Sequence, residues 1–459
     1  MPEYIHRSAL NVSAETLYSW HASEGALDRL LPPWQSIEVV DHEGIREGDR
    51  AVIKMKVGPV TVRWVARHGE HIEGRQFQDT QEQGPFGEWI HTHRFLDGED
   101  TGSVLEDAVL YDPPLGALGS IAGRRVRGEL RQMFRFRHRR TREDLARHAR
   151  YADRPRLKVA ITGATGLVGG RLAAFLNTGG HSVLPMVRRV SGLNEARWST
   201  AEGLLEPEKF AGPESPDAVV HLAGKSLSDL PWSDARKQAF WESRVDGTTN
   251  LCRTLAALPT PPKTLICASA IGFYGDRGAE PINEESARGE GFLAELCEAW
   301  EAACAPAREA GIRVVNLRIG VVLTAAGGAL EQMLLPFQMG LGGPMGGGRQ
   351  MMSWVSLDDI LGAIQHCLFE DISGPVNATA PTPVSQRALA KTLGRVLRRP
   401  ALLPAPGAAL RLVLGREAAD EMLLGGARVM PSQLSESGFE FFYPDLEDCL
   451  RMELGRLMS

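Results

Sequence analysis

Through the first 110 residues apolar and polar side chains alternate with a period of two, as in Arg50-Ala-Val-Ile-Lys-Met-Lys-Val57 and Val60-Thr-Val-Arg-Trp-Val-Ala66, separated by Gly58-Pro59. That period sends successive side chains to opposite faces of a sheet, so the region reads as antiparallel strands. A helical pattern precedes them, from Ser13, a residue able to cap, to Trp20. Another follows Asp112-Pro113-Pro114, where Leu115, Leu118, Ile121, Leu130, Met133 and Phe134 recur at helical spacing. Residues 1–150 are therefore expected to form an α+β domain of helix, antiparallel sheet and long helix.

Past a polar link from Tyr151 to Arg156, the pattern changes to apolar runs alternating with helical segments. Strands are expected at Leu157–Thr162, Ser182–Val187, Ala218–Leu222, Thr264–Ser269 and Arg313–Ile319. Helices are expected at Arg171–Asn177, Asp234–Leu258 and Leu293–Ala310. This alternation predicts an α/β domain over residues 157–382, a doubly wound parallel sheet. From residue 383 to 459 helical segments separated by Pro400, Pro404, Pro406 and Pro431 predict a helical extension packed on that sheet domain.

Composition narrows the function classes. The 459 residues suit two or three domains, and 43% hydrophobic with 24% charged residues is a globular balance. A net charge of −6 gives the whole chain no polyelectrolyte character toward nucleic acid or anionic lipid. Between Arg124 and Arg156, however, thirteen Arg face only Glu129, Glu143, Asp144 and Asp153. Without a nucleic-acid-binding motif this reads as the outer face of the long helix, and no nucleic-acid partner is expected. No 18-residue apolar run occurs and Met1–Arg7 lacks the apolar core of a signal peptide, so a cytoplasmic protein without membrane insertion is expected. The six cysteines lie beyond residue 250 with no C-x-x-C pair and read as reduced thiols. His91 and His93 share one strand face, but two histidines without a third ligand do not make a metal site, and none is expected.

The strongest chemical signal is Lys158-Val-Ala-Ile-Thr162 running into Gly163-Ala-Thr165-Gly166-Leu167-Val168-Gly169 and an amphipathic helix. A buried strand, a glycine turn and a helix N-terminus bring unpaired N–H groups and the positive end of the helix dipole to a pyrophosphate. Gly163 permits the turn, Gly166 lets phosphates approach the backbone, and Gly169 lets helix and strand pack closely. Thr165, Leu167 and Val168 complete the cofactor-binding turn. Where an NAD site places a carboxylate after the second strand, this chain has Arg188-Arg189, suited to a 2′-phosphate, so NADP (NADPH) is expected over NAD.

The glycine turn, Val219-Val-His-Leu222-Ala223-Gly224, Ser269-Ala-Ile-Gly-Phe-Tyr274-Gly275 and Trp354-Val-Ser-Leu-Asp-Asp359 resemble the extended short-chain dehydrogenase/reductase superfamily. Ser243-Arg-Val-Asp-Gly-Thr248, Trp300-Glu301, Arg318-Ile-Gly-Val-Val-Leu323, Gly340-Leu-Gly-Gly-Pro344 and Gly438-Phe-Glu-Phe-Phe-Tyr-Pro444 resemble its atypical "epimerase family protein" branch. The resemblance implies an NADP-binding Rossmann fold with a helical C-terminal extension, and adds Leu222, Ala223, Gly224 and Arg244 to the cofactor contacts. It also implies Ser269 at a substrate oxygen, Tyr274 as a displaced proton donor, and Arg349 as a clamp for a substrate diphosphate. The chain departs from ordinary members, however. None of the six tyrosines has a lysine four residues on, and no lysine occurs between Lys263 and Lys391, so the Tyr-x-x-x-Lys proton relay is absent. Asp358 and Asp359 read as caps of the following helix.

Residues 1–150 resemble the START-like or SRPBCC superfamily through Phe77–Phe86, Trp89-Ile-His-Thr-His93 and Leu105–Pro114. That resemblance implies a helix-grip fold around a cavity for a hydrophobic ligand, with Trp34, Trp64, Phe77, Phe86 and Trp89 as candidate lining. The expected function is an epimerase/dehydratase-like NADP-dependent oxidoreductase acting on a small carbonyl, hydroxyl or sugar-nucleotide-like substrate. The alternative is a non-catalytic NADPH-binding sensor.

Overall fold

The computed structural model describes residues 1–57, 60–112, 119–190, 192–212 and 215–458; Gly58-Pro59, Pro113, Pro114, Leu115 and Leu118 lie outside them. The chain divides into two compact units: Met1–Asp153 with Asn177–Gly180 and Arg451–Ser459, and Arg154–Leu176 with His181–Leu450.

In the first unit the alternating runs form β1 (Glu3–Leu10), β2 (Ile37–His42), β3 (Arg50–Val57), β4 (Val60–Ile72), β5 (Gln76–Gln83), β6 (Glu88–Asp97) and β7 (Ser103–Asp112). They make one antiparallel sheet in the order β1-β7-β6-β5-β4-β3-β2. The N-terminal helix is α1 (Ala14–Ala22), where the Ser13 hydroxyl accepts from the Thr16 N–H as the cap the sequence suggests. A short α2 (Ala26–Leu30) follows, and the long helix is α3 (Gly119–Ala149). Leu130 and Phe134 of α3 are buried with Tyr4, Trp89, Val109 and Tyr111 of the sheet. Leu145 joins a second cluster with Leu17, Trp20, Phe77 and Phe95. Near it Arg29 on α2 makes two hydrogen bonds to Asp144 on α3, of 2.8 and 2.6 Å, with both side chains 3% exposed.

The second unit begins with β8 (Lys158–Thr162), α4 (Leu167–Thr178) and β9 (Ser182–Val187). There follow β10 (Ala196–Ser199), β11 (Gly203–Leu204), β12 (Ala218–His221), α5 (Asp234–Trp241), α6 (Gly247–Ala256) and β13 (Thr264–Ala270). Next come β14 (Pro281–Ile282), α7 (Phe292–Ala302), α8 (Ala305–Glu309) and β15 (Arg313–Ile319). The sheet order is β11-β10-β9-β8-β12-β13-β15, closed by the strand Gly374–Ala378, and parallel throughout except at β10-β11. This is the Rossmann-like doubly wound sheet expected from the sequence. Apolar clusters cover both faces: Leu172, Phe175, Ile360 and Ile364 on one, Leu251, Leu255, Trp300 and Ala307 on the other. The single helix expected at Asp234–Leu258 is broken by a π turn over Glu242–Asp246, and that expected at Leu293–Ala310 divides into α7 and α8 ahead of Pro306. Gln386–Leu397, Gly407–Leu414, Ser432–Glu436 and Leu446–Glu453 make the C-terminal region helical.

Removing one partner of a buried ion pair leaves an uncompensated charge, at a cost of about 3–5 kcal/mol, whereas replacing both by apolar groups is close to neutral. Asp144→Ala is therefore expected to lower the urea-unfolding free energy of the first unit by that amount, and Arg29→Leu/Asp144→Leu to recover most of it. Equal losses in the single and double variants would contradict this account.

Candidate active site

The glycine turn sits where β8 passes into α4. Gly163 has φ +70°, and a Cβ there would lie 3.1 Å from the Leu222 carbonyl carbon and the Ala223 nitrogen, which brings the two expected cofactor segments together. A Cβ on Gly169 would approach the Gly163 oxygen to 2.2 Å, so the helix can lie this close to the turn only as glycine. Beneath the turn the Thr162 hydroxyl accepts from the N–H groups of Leu222 and Ala223, leaving its own proton for His221 Nδ1 at 2.6 Å. That fixes His221 as the Nε2–H tautomer, donating to the Thr248 hydroxyl at 3.1 Å, which also accepts from Trp300 Nε1. Burial pulls His221 down to about 4, in keeping with an Nδ1 that must stay unprotonated.

At the end of β13, two positions beyond the residue level with His221, the Ser269 hydroxyl donates to Glu301 Oε1 at 2.7 Å. Glu301 lies near the end of α7 and is gripped at both oxygens by Arg318 of β15, with Nε–Oε1 and Nη2–Oε2 each 2.8 Å. A further nitrogen of Arg318 donates to the Tyr274 hydroxyl at 2.8 Å, and Tyr274 donates on to Asn377 at 2.8 Å. The guanidinium lies 3.5 Å from the Phe273 ring centre. Burial works against the charge on Arg318, but Glu301 outweighs it and holds the group above its usual range. Tyr274 is fully buried, and burial pushes its phenol up, with Arg318 opposing. Ser269 and Tyr274 are thus joined through Glu301 and Arg318, while the Tyr274 hydroxyl is spent between Arg318 and Asn377.

Arg244 is 8% exposed and lies against Gly224, whose added Cβ would come within 3.2 Å of the guanidinium carbon; the same group stands 5.1 Å from the Trp300 ring centre. It has no carboxylate partner among the described residues, and burial pulls it down to about 10. Arg188 and Arg189 stand exposed just past β9 with no ion pair among the described residues. Arg349 is exposed as well. The glycine-rich segment before it is tied down, Gly346 N–H donating to Ala405 and Met345 N–H to Gln386. Asp359 accepts from the N–H groups of Phe442 and Tyr443 and so anchors the C-terminal segment, while the cap of that helix is Ser356.

The first unit holds a cavity of about 520 Å³, lined on its apolar side by residues including Ile53, Met55, Trp64, Phe86 and Trp89. Phe77 also lines it, whereas Trp34 stands outside the lining and packs edge-on to Phe136. A polar wall of Asp79, His91 and His93 interrupts the apolar surface. Burial works against the charged form of His91, but Asp79 and Asp107 outweigh it and push the imidazole up to about 9.

Residues 159–377 match the NAD dependent epimerase/dehydratase family, residues 405–452 a domain of unknown function, and residues 10–135 the polyketide cyclase/dehydrase and lipid transport family. An epimerase family protein of Mycobacterium bovis is 41% identical over 294 residues, 64% of this chain and 96% of that one. The chain belongs to the epimerase family. Two solved structures are similar to this epimerase-family chain, each at 32% identity. A nucleoside-diphosphate sugar epimerase from Corynebacterium glutamicum has a TM-score of 0.81 and covers 99% of this chain and 90% of its own. The human epimerase family protein SDR39U1 (isoform 2), solved with NADPH, has a TM-score of 0.60 and covers 66% and 100%. Glu301 and Arg318 stand inside the motifs that carry the family likeness, yet sequence reasoning gave neither a role. The available signal was an acidic residue on the helix that ordinarily carries Tyr and Lys, and an arginine within an otherwise apolar strand.

Two outcomes test this geometry. Gly169→Ala forces a Cβ into the Gly163 carbonyl and is expected to destabilise the second unit by more than 1 kcal/mol and to abolish dinucleotide binding, read by thermal melting and NADPH titration. For His221, the unfolded chain takes up a proton between pH 6.5 and about 4 that the folded chain refuses, so stability falls as pH drops through that window. His221→Gln should flatten the decline in unfolding free energy by up to about 1.4 kcal/mol per pH unit, the slope of one proton. An unchanged slope would place the titration elsewhere.

Proposed function

We propose that this chain is an NADP(H)-dependent oxidoreductase acting on a hydroxyl or carbonyl carbon, with a proton path rebuilt around Ser269 and Glu301. The observation that carries the reading is the Ser269-to-Glu301 hydrogen bond at the carboxyl end of β13, where ligands of doubly wound sheets bind. The turn of Gly163, Thr165, Gly166, Leu167, Val168 and Gly169, with Leu222, Ala223 and Gly224 opposite, suits a dinucleotide because its glycines let strand, turn and helix close up and so present backbone N–H groups of the helix N-terminus to a pyrophosphate. Arg244 supplies a buried positive charge that a cofactor phosphate would neutralise, and Arg188 with Arg189 offers guanidinium groups to a 2′-phosphate. The NADPH in the human relative's structure supports the same choice of cofactor.

Bound there, NADPH supplies a hydride to a carbonyl carbon, or NADP accepts one from a carbinol carbon. In the oxidising direction the substrate hydroxyl gives its proton to Ser269 Oγ while the Ser269 proton passes to Glu301. Reduction reverses both transfers. Ser269 is the catalytic residue that touches substrate, and Arg318 holds Glu301 at the serine. Tyr274 positions Arg318, since a phenol pushed up by burial is a poorer acid than one lowered by a lysine. Arg349 is assigned to the anionic end of the substrate, and the cavity of the first unit to an apolar ligand. A second reading, an NADPH-binding sensor, is favoured by the commitment of the Tyr274 hydroxyl to Arg318 and Asn377.

Titrating the full-length chain with NADPH and NADH, then adding a panel of carbonyl compounds, separates the two. Catalysis predicts NADPH oxidation by a panel member, with Ser269→Ala and Glu301→Gln lowering turnover by about 10²–10⁴ at nearly unchanged NADPH affinity. Binding without oxidation across the panel would favour the sensor. Arg188→Ala should narrow the margin of NADPH over NADH by roughly tenfold or more, the worth of a charge-assisted hydrogen bond. An unchanged margin would remove the 2′-phosphate assignment.

A further inference from the structure

The polar wall of the first unit's cavity is built by sheet register. His91 and His93 are two apart on β6 and so share a face; β5 places Asp79 directly opposite His91, and β7 places Asp107 directly opposite His93. Asp79 Oδ2 lies 3.1 Å from His91 Nδ1 and 3.5 Å from His93 Nε2. One donor atom from each of the three falls within 4.8 Å of the others. A tetrahedral cation with bonds near 2.0 Å spaces its donors about 3.3 Å apart, between those two distances.

The remaining ring nitrogens supply an independent observation. His91 Nε2 lies 2.9 Å and His93 Nδ1 2.7 Å from the same oxygen, Asp107 Oδ1, while Asp107 Oδ2 is 2.6 Å from His138 Nε2 on α3. One buried carboxylate therefore stands behind both imidazoles and hydrogen-bonds to His91 Nε2, the support that metal-ligating histidines ordinarily receive, with His93 Nδ1 close by it. Asp79, His91 and His93 line the cavity, whereas Asp107 stands behind them.

We infer that Asp79, His91 and His93 form a site for one divalent transition-metal cation, of the zinc or iron(II) class, open to the cavity. Two imidazoles and a carboxylate leave coordination positions free on the cavity side for water or a ligand oxygen. With Arg137 also lining the cavity, such a cation leaves the wall with an excess of positive charge over Asp79 and Asp107. The ligand class that suits it is an apolar molecule bearing one anionic oxygen.

The test uses the full-length chain, stripped with a chelator and dialysed against Co²⁺ alone. The expected result is one cobalt retained per chain with visible d–d bands, lost on adding Zn²⁺. X-ray absorption of the wild-type cobalt form should show two imidazoles and otherwise oxygen donors, a readout independent of how any variant folds. His93→Ala should abolish retention, and Asp107→Asn, which touches no metal, should weaken binding about 10–100-fold. No cobalt retained by the wild type, unchanged affinity in folded His93→Ala, or fewer than two imidazoles in the coordination sphere would overturn the site. The cluster would then be a self-contained imidazolium–carboxylate network.

Discussion

A single buried guanidinium organises the candidate active site. Arg318 is 4% exposed on an interior strand of the parallel sheet, where an unpaired charge would cost several kcal/mol. Glu301 neutralises it through both oxygens, which fixes how α7 meets β15. The rest follows by hydrogen-bond accounting. Glu301 Oε1 has capacity left for the Ser269 hydroxyl, and the nitrogen of Arg318 not bound to Glu301 takes Tyr274. Tyr274 in turn takes Asn377, whose N–H and that of Gln433 both go to Glu284. Such a pair adds little net stability over apolar packing, so what it contributes is geometry: it holds a serine and a carboxylate together at the mouth of the sheet.

The sign of the electrostatics separates this site from a tyrosine–lysine relay. A lysine beside a tyrosine favours the phenolate and so makes the phenol a better proton donor. Here Arg318 acts on Tyr274 in the same direction, but burial dominates and the phenol ends above its usual range. The Ser269 hydroxyl, 3% exposed, is instead aligned to an acceptor, Glu301. A chain that dispenses with the Tyr-x-x-x-Lys spacing still contains a donor–acceptor pair at the place where such sheets do their chemistry.

Much of this was legible in the sequence, for local reasons. The glycine turn is visible because its steric demands act on consecutive residues, and Gly163 and Gly169 meet the neighbours that forbid a Cβ. The strands Ser182–Val187 and Arg313–Ile319 fall where their apolar runs place them. The Glu301–Arg318 pair was not legible, because it joins a helix to a strand 17 positions on, and only the folded sheet shows that the two side chains point at one another. The same holds in the first unit. His91 and His93 alternate visibly, but their partners Asp79 and Asp107 lie on two other strands, and only register brings them opposite. Trp34 failed as a cavity residue for a related reason, since aromatic character says nothing about which neighbour, here Phe136, a ring will find.

The two units handle buried charge differently. Arg244 is a guanidinium with no carboxylate among the described residues, and a buried cation without a partner is costly unless an anion arrives. Asp79 and Asp107 are two buried carboxylates met within the chain, since together they push the His91 imidazole up to about 9 and its charge stands against theirs. Beside Arg244, the glycine turn opening the helix Leu167–Thr178 offers a phosphate the N–H groups of a helix N-terminus. In the first unit, nitrogen and oxygen donors of Asp79, His91 and His93 converge on the cavity, where a small cation would take the place of the imidazolium proton. The same rule, that buried charge must be paired, therefore calls for an anion beside Arg244 and makes a cation at Asp79 a replacement for the proton on His91.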